Sequence, residues 1–204
     1  NKISEKKIIK AIKKYLHKDL KNFSETCKSV TNGRGAEKVA SILTLSPKTK
    51  LIPHFAKYED EGLLLEWAND PLVRKNSFNK KIISLNEHKN WFQNCLNNSN
   101  NCKILIINTK EMLPVGQVRI EKKNKRWFID FSLVKFARNK KIGHKLIGVA
   151  LKKYKKEGIS QFFGEVKTAN IASCRTFEKS GFKKKVNTKD KYVTYFYRNS
   201  LLYK

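Results

Sequence analysis

Phe131-Ser132-Leu133-Val134-Lys135-Phe136-Ala137-Arg138-Asn139-Lys140-Lys141-Ile142-Gly143-His144-Lys145-Leu146-Ile147 joins the end of a strand to the start of a helix through a basic turn. Just upstream, Trp127, Ile129, Phe131 and Leu133 alternate with Phe128, Asp130 and Ser132, the period of a strand with two unlike faces. From about Ile142 the spacing becomes helical, with Ile142, Leu146, Ile147, Ala150, Leu151 and Tyr154 on one face. The first turn of such a helix has free backbone N–H groups and a partial positive charge. Arg138, Lys140, Lys141 and Lys145 add full charges, so the turn is suited to hold a pyrophosphate.

Downstream, Phe162-Phe163-Gly164-Glu165-Val166-Lys167 reads as a second strand. A short helix follows, from Asn170 as N-cap to Gly181, which stands where a left-handed residue is wanted, and then Phe182. Helical spacing puts Asn170, Ser173, Cys174 and Phe177 on one face of it.

In this order the two blocks resemble the GNAT superfamily of acyl-CoA-dependent N-acyltransferases. There the pyrophosphate loop reads Arg/Gln-x-x-Gly-x-Gly/Ala, and a later Asn begins a helix that ends in Gly-Phe. Arg138 and Gly143 match the loop, whereas Lys141 stands where the first glycine is expected. A positive φ there strains a lysine, while an ordinary helical φ leaves its ammonium for the phosphate. The resemblance covers roughly residues 49 to 204. It implies an α/β (α+β) fold with a mixed central sheet flanked by helices, here with an N-terminal helical appendage, and acetyl-CoA as co-substrate. It sets the pantetheine arm beside Phe131, Ser132 and Leu133. The pyrophosphate falls on Arg138, Asn139, Lys140, Lys141, Ile142, Gly143, His144 and Lys145, with Asn170, Ser173 and Phe177 also lining the CoA site.

The chain of 204 residues has room for one domain of ordinary size plus an appendage, and its 40% hydrophobic content suffices for a packed core. No apolar run approaches a membrane span; the longest, Ile104 to Ile107, suits a buried strand. No leader is visible, although the chain opens on Asn1, as a piece of a longer precursor would. Cys27, Cys95, Cys102 and Cys174 show neither metal spacing nor a disulfide framework, which points to a reducing cytoplasm. His17, His54, His88 and His144 are scattered, so no metal site is expected. The net charge of +28 invites a nucleic-acid reading, but its lysines run along the whole chain and outnumber arginines 38 to 7. That pattern reads as a solvated surface whose field attracts CoA and other polyanions, less so in salt.

Residues 1–45 form a separate helical unit, too small for a core of its own. Ile8, Ile9, Ile12, Tyr15 and Leu16 mark one helix, a second runs from about Leu20 to Val30, and a third from Ala36 to about Leu43. The motif Asn32-Gly33-Arg34-Gly35-Ala36, followed by Val39, resembles the carboxyl end of the nucleotide-sugar hydrolase of the pseudaminic-acid pathway. That implies an upstream hydrolase domain as partner. The connector Thr44-Leu45-Ser46-Pro47-Lys48 separates this unit from residues 46–204, where a β-α-α-β-β-β-α-β-α-β order is expected. The first helix there stops at Asn69-Asp70-Pro71.

In some relatives a Glu on the strand before the turn acts as base; that position is Phe128 here, leaving Asp130 and Glu165 as the nearest carboxylates. The usual proton donor, a tyrosine seven residues after the helix-starting Asn, is replaced by Phe177. The thiolate then leaves unaided, or Ser173, Cys174 or a C-terminal tyrosine supplies the proton through water. The stretch Trp67 to Asn79 resembles the acceptor side of acetyltransferases acting on UDP-4-amino sugars. On that reading Arg74 meets a phosphate, Asn76 a sugar hydroxyl and Trp91 a ring face. His88 is a third candidate base and acceptor contact. The plain alternatives are a surface arginine, a helix cap, a core tryptophan and a structural histidine. The function expected is acetyl transfer to the amine of a UDP-linked 4-amino-4,6-dideoxy sugar. A protein N-terminus is the alternative acceptor, and a non-catalytic RNA- or ribosome-binding protein the alternative class.

Overall fold

A seven-stranded mixed sheet, in the order β1-β2-β3-β4-β5-β7-β6, organises the computed structural model of this chain. The structure describes residues 9, 13, 35–185 and 191–198. The chain divides into two compact units, Asn1–Ala40 and Ser41–Lys204. Apart from Ile9 and Lys13, the first two expected N-terminal helices lie outside the described residues. The third is α1, Gly35–Thr44.

The main unit continues with β1 (Ile52–Phe55), α2 (Glu61–Ala68), α3 (Pro71–Asn76) and α4 (Leu85–Asn97). Then come β2 (Cys102–Asn108), β3 (Pro114–Lys123), β4 (Arg126–Leu133) and α5 (Gly143–Lys156). It closes with β5 (Gln161–Lys167), α6 (Ile171–Lys179), β6 (Lys183–Lys185) and β7 (Tyr192–Arg198).

Local chemistry explains most of these boundaries. Asn124 and Lys125 both have positive φ, 50° and 64°, as the two-residue turn of a tight β3–β4 hairpin requires. Ser84 caps α4 by accepting from Glu87 N–H at 3.2 Å. Gly181, at φ 86°, lies just beyond α6 as its spacing predicts. Two elements go beyond the expected order. The Asn-Asp-Pro sequence ends α2 but also starts α3, because Asp70 caps the new helix and Pro71 fits its first position. Lys183–Lys185 is the edge strand β6, three like charges along an unpaired edge.

Alternation along β2 divides the core in two. Leu105 and Ile107 join the cluster beneath α5, where Ile142, Leu146, Ile147, Ala150 and Tyr154 are fully buried. Ile104 and Ile106 join Leu64, Trp67, Phe92 and Cys95 from α2 and α4 on the other face. The Tyr154 hydroxyl donates to Val118 O at 2.7 Å, so this buried polar group is satisfied.

One expectation is corrected. Cys95, near the end of α4, and Cys102, the first residue of β2, form a disulfide with Cα atoms 5.0 Å apart. The turn after α4 folds the strand back beside the helix, a proximity that spacing alone does not reveal. The case for a reducing compartment from unpaired cysteines loses its premise. No helix among the described residues is long and apolar enough to cross a membrane.

Two glycines make opposite predictions. A Cβ on Gly116 would collide with the Ser132 carbonyl and come within 2.9 Å of Leu146 Cδ1. Gly116→Ala should therefore destabilise by about 1–3 kcal/mol. Gly148, inside α5 with open space around it, should gain up to about 1 kcal/mol on replacement by Ala. Urea unfolding midpoints of the two variants check both signs.

Candidate active site

The site begins where two strands part. β4 pairs with β3 from Arg126 to Leu133, yet it pairs with β5 at one register, Phe128 with Phe163. Beyond it the strands diverge, and among the described residues the β5-facing N–H groups of Phe131 and Leu133 have no strand partner. A cleft of about 880 Å³ fills the gap, walled by β4, β5, α3, α4 and the starts of α5 and α6. Backbone N–H and C=O groups in such a place need a ligand or water as partner.

The basic turn closes one end of the cleft. Asn139 and Lys141 have φ of 60° and 56°. Lys141 thus adopts the positive φ of the missing glycine, at a cost of roughly 1–2 kcal/mol. With Ile142 following in the right-handed region, the pair directs successive N–H groups into one concavity suited to an anion. Ile142 makes no side-chain cap, so the N–H groups of the first α5 turn stay open. Gly143 lets this helix start lie against α6, since a Cβ there would sit 3.0 Å from Thr176 Cγ2.

Two motif cations are engaged inside the protein. Arg138 Nη2 lies 2.8 Å from Asp70 Oδ1, and its Nε donates to Leu133 O at 3.0 Å. Lys145 Nζ donates to Pro47 O at 2.9 Å. Arg138 was expected to hold pyrophosphate; its guanidinium instead ties the turn to the N-cap of α3, leaving the backbone with Lys140 and Lys141 to face an anion. Burial works to raise the Asp70 pKa, but the bond to Arg138 and the Leu72 and Val73 N–H groups outweigh it and hold it below the usual range. At the far end of α3, Lys167 Nζ donates to the carbonyl of Ser77. Cations at both ends thus fasten α3 across the opening.

Residues of α6 have divided roles. Asn170 Oδ1 accepts from Ser173 N–H at 3.2 Å and caps the helix. Phe177 is 2% exposed, stacked on Tyr195 at 5.3 Å and edge-on to Phe131 at 5.4 Å. It forms the floor of the cleft, and Gly164 is required beneath it because a Cβ there would come within 2.8 Å of the ring. Of the alternative proton donors, Ser173 lines the cleft. Cys174 turns its thiol toward Lys167 O, and Tyr195 is buried with its hydroxyl on Glu178, burial pushing its pKa well up.

Asp130 and Glu165 line the cleft from its two diverging strands. Asp130 is exposed and lies 3.5 Å from Arg119 Nη2. Arg119 also sits over the Trp91 ring, 5.1 Å from its centroid, while Trp91 Nε1 donates to Glu121. Trp91 therefore offers an acceptor less than the free ring face expected of it. Asn76 lines the cleft. Arg74 does not meet the role assigned to it: it donates to the carbonyls of Ala68, Asn79 and Lys81 and to Ser77 Oγ, bracing the loop after α3. His88 is likewise corrected. It lines the cleft, but its ring is 2% exposed, its Nε2 lies 3.1 Å from Glu61 O, and burial lowers its pKa, so it is held as a neutral group of the cleft wall. Asp70, Arg119 and Lys167 were not among the expected site residues. Asp70-Pro71 carried a capping signal, but the other two depend on strand register.

Residues 51–183 match the family described as acetyltransferase (GNAT) domain. The chain belongs to the GNAT acetyltransferase family. Among the curated proteins, none matches it. Its fold is similar to that of a domain from Methanocaldococcus jannaschii DSM 2661, with 25% identity and a TM-score of 0.65 over 74% of this chain and 100% of that one. It is also similar to spermidine N-acetyltransferase from Vibrio cholerae in complex with CoA and spermine, with 14% identity and a TM-score of 0.62 over 72% and 94% of the two chains. A third likeness is to the aminoglycoside acetyltransferase AAC(6′)-Ib in complex with coenzyme A, with 15% identity and a TM-score of 0.61 over 74% and 95%.

This GNAT protein is an acetyl-CoA-dependent N-acetyltransferase. Its residues fit that co-substrate: the unpaired β4 main chain suits an amide-bearing arm, and the open N–H groups of the turn suit its pyrophosphate. Among the described residues, no cluster could hold a metal ion.

The Arg138–Asp70 link yields a pH test. A carboxylate whose folded pKa is depressed contributes stability above its unfolded pKa and loses it as pH falls through the folded value. Arg138→Ala should thus be destabilising at neutral pH, and its deficit should shrink below about pH 4, the ordinary aspartate range. Thermal unfolding of both proteins from neutral to acid pH checks this.

Proposed function

We propose that this acetyltransferase acylates the amine of a UDP-linked 4-amino-4,6-dideoxy sugar, as in pseudaminic-acid-like glycan synthesis. The charge of the cleft carries the reading. Glu87, Asp130 and Glu165 line it together with Arg119, Lys123 and Lys167, on a chain of net charge +28. Such a field disfavours a polycationic acceptor and favours one that carries both an amine and phosphates. The likeness of Trp67 to Asn79 to the acceptor side of such enzymes supports the same choice. On this reading the motif at Asn32 to Ala36 marks residues 1–45 as the tail of an upstream nucleotide-sugar hydrolase-like domain.

Acetyl-CoA supplies an activated acyl group when bound. The main chain of Phe131 and Leu133 offers N–H groups to its arm and thioester oxygen, a polarising contact in the cleft. The turn N–H groups and Lys141 hold the pyrophosphate and fix the arm along β4. Asp130 or Glu165 takes the proton from the incoming amine, directly or through one water. Ser173 is placed to return a proton to the leaving thiolate through water; with an ordinary thiol pKa near 8.5, that group also leaves without much help.

Incubation with acetyl-CoA and a UDP-4-amino sugar, spermidine or an N-terminal peptide tests the acceptor. Acetylation of the nucleotide sugar is expected to have by far the highest kcat/KM; a preference for either other amine refutes the reading. Asp130→Asn should lower kcat about 10²–10⁴-fold and remove the acidic limb of the rate profile if Asp130 is the base. Glu165→Gln is the matched comparison. A rise in KM at unchanged kcat assigns the altered carboxylate to positioning.

A further inference from the structure

We propose that the face of β5, β7 and β6 left uncovered among the described residues holds the nucleoside diphosphate half of the acceptor; this rests on the proposed acceptor class. With Arg74 engaged by internal carbonyls, a diphosphate needs other cations. Strand register provides them. Phe128 pairs with Phe163, Phe163 with Phe196, and Phe196 with Lys183, so these side chains form one row across one face of the sheet. A neighbouring row runs Glu165, Thr194, Lys185. The first row starts beside the acceptor cleft, which Phe128 and Glu165 also line.

The row is aromatic but belongs to neither buried cluster. Phe128, Phe163 and Phe196 are half-buried, and among the described residues their ring–ring contacts run along the row, with centroids 5.8 and 5.0 Å apart. A second cavity, of about 430 Å³, lies over Phe163 and Phe196 and is rimmed by Arg126, Lys183, Lys184 and Lys185. Arg126 lies over the Phe163 ring at 5.3 Å, which holds its guanidinium in place and leaves its N–H donors available. None of the four rim cations has a carboxylate partner among the described residues. Cations without acidic partners around an aromatic platform recognise a ligand that joins phosphates to a planar base. Two strand spacings place Lys185 about 10 Å across the sheet from Glu165. A sugar amine at the cleft carboxylates can therefore have its phosphates at the lysine rim.

The test is calorimetric titration of the full chain at low salt with UDP, uridine, inorganic pyrophosphate and a short oligouridylate. UDP should bind more tightly than uridine or pyrophosphate. Phe196→Ala should weaken UDP about tenfold, the loss of one stacking contact, as should Arg126→Glu and the pair Lys183→Glu and Lys185→Glu. CoA affinity should not change. The charge variants lie at the surface and stand in if Phe196→Ala does not fold. UDP affinity unchanged in the variants, or no binding of UDP, overturns the assignment. So does oligouridylate affinity that rises with length and exceeds that of UDP, which would mark a nucleic-acid surface. If the wild type binds UDP at this face but leaves the UDP-amino sugar unacetylated, the acceptor reading fails and the nucleotide site stands. If it acetylates that sugar with a KM the variants do not change, the nucleotide site fails alone.

Discussion

Main-chain groups that β4 cannot pair dominate this molecule. Two neighbouring parallel strands would normally exchange hydrogen bonds along their length. Here the pairing stops at Phe128 and Phe163, and polar backbone lines a partly buried cleft instead. The arrangement persists because everything around it is firmly held: β4 bonds to β3 from Arg126 to Leu133, Gly116 lets those strands close up, and Ile142 with four side chains of α5, all fully buried, seals the opposite face. A ligand whose own amides run along that edge completes the sheet. The enzymatic activity follows from an incompleteness in the secondary structure as much as from any side chain.

Charge is used in two distinct ways. The chain is strongly basic, but several cations near the site serve as internal fasteners. Arg138 holds an aspartate cap, Arg74 three carbonyls, Lys167 a helix end and Lys145 the connector. These contacts set the shape of the cleft. Most other lysines among the described residues are exposed and set the field around it, which brings anions toward the opening and is screened by salt. A cation's presence near the site in sequence therefore says little about which task it performs.

The elements whose chemistry is local are legible in the order of residues alone. The helix face of Ile142, Leu146, Ile147, Ala150 and Tyr154 follows from period, and the Asn170 cap and the Gly181 stop from the identity of single residues. Asp130 and Glu165 line one cleft from neighbouring strands. What escaped depends on pairing between distant segments. Nothing near Arg119 in sequence announces that register sets it against Asp130, and the closeness of Cys95 to Cys102 comes from a turn. Arg74 and His88 show the same limit from the other side. Their types suit phosphate binding and base catalysis, but burial among backbone carbonyls decides otherwise. Lys141 is a different case: the family pattern flagged its strain, and the backbone bears that strain without a glycine.

Helix α3 has a consequence for how the protein is assembled. At six residues, Pro71–Asn76 is far below the length at which a helix persists unaided. Its cap at Asp70 is held by the turn before α5, and its other end by a lysine of β5, 90 residues along the chain. Neither anchor exists until β4, α5 and β5 have come together, so this wall of the cleft is a late product of folding. During synthesis on the ribosome it emerges early but has nothing to settle on until Lys167 has followed it out. This part of the cleft wall is thus made near the start of the domain and ordered near the end.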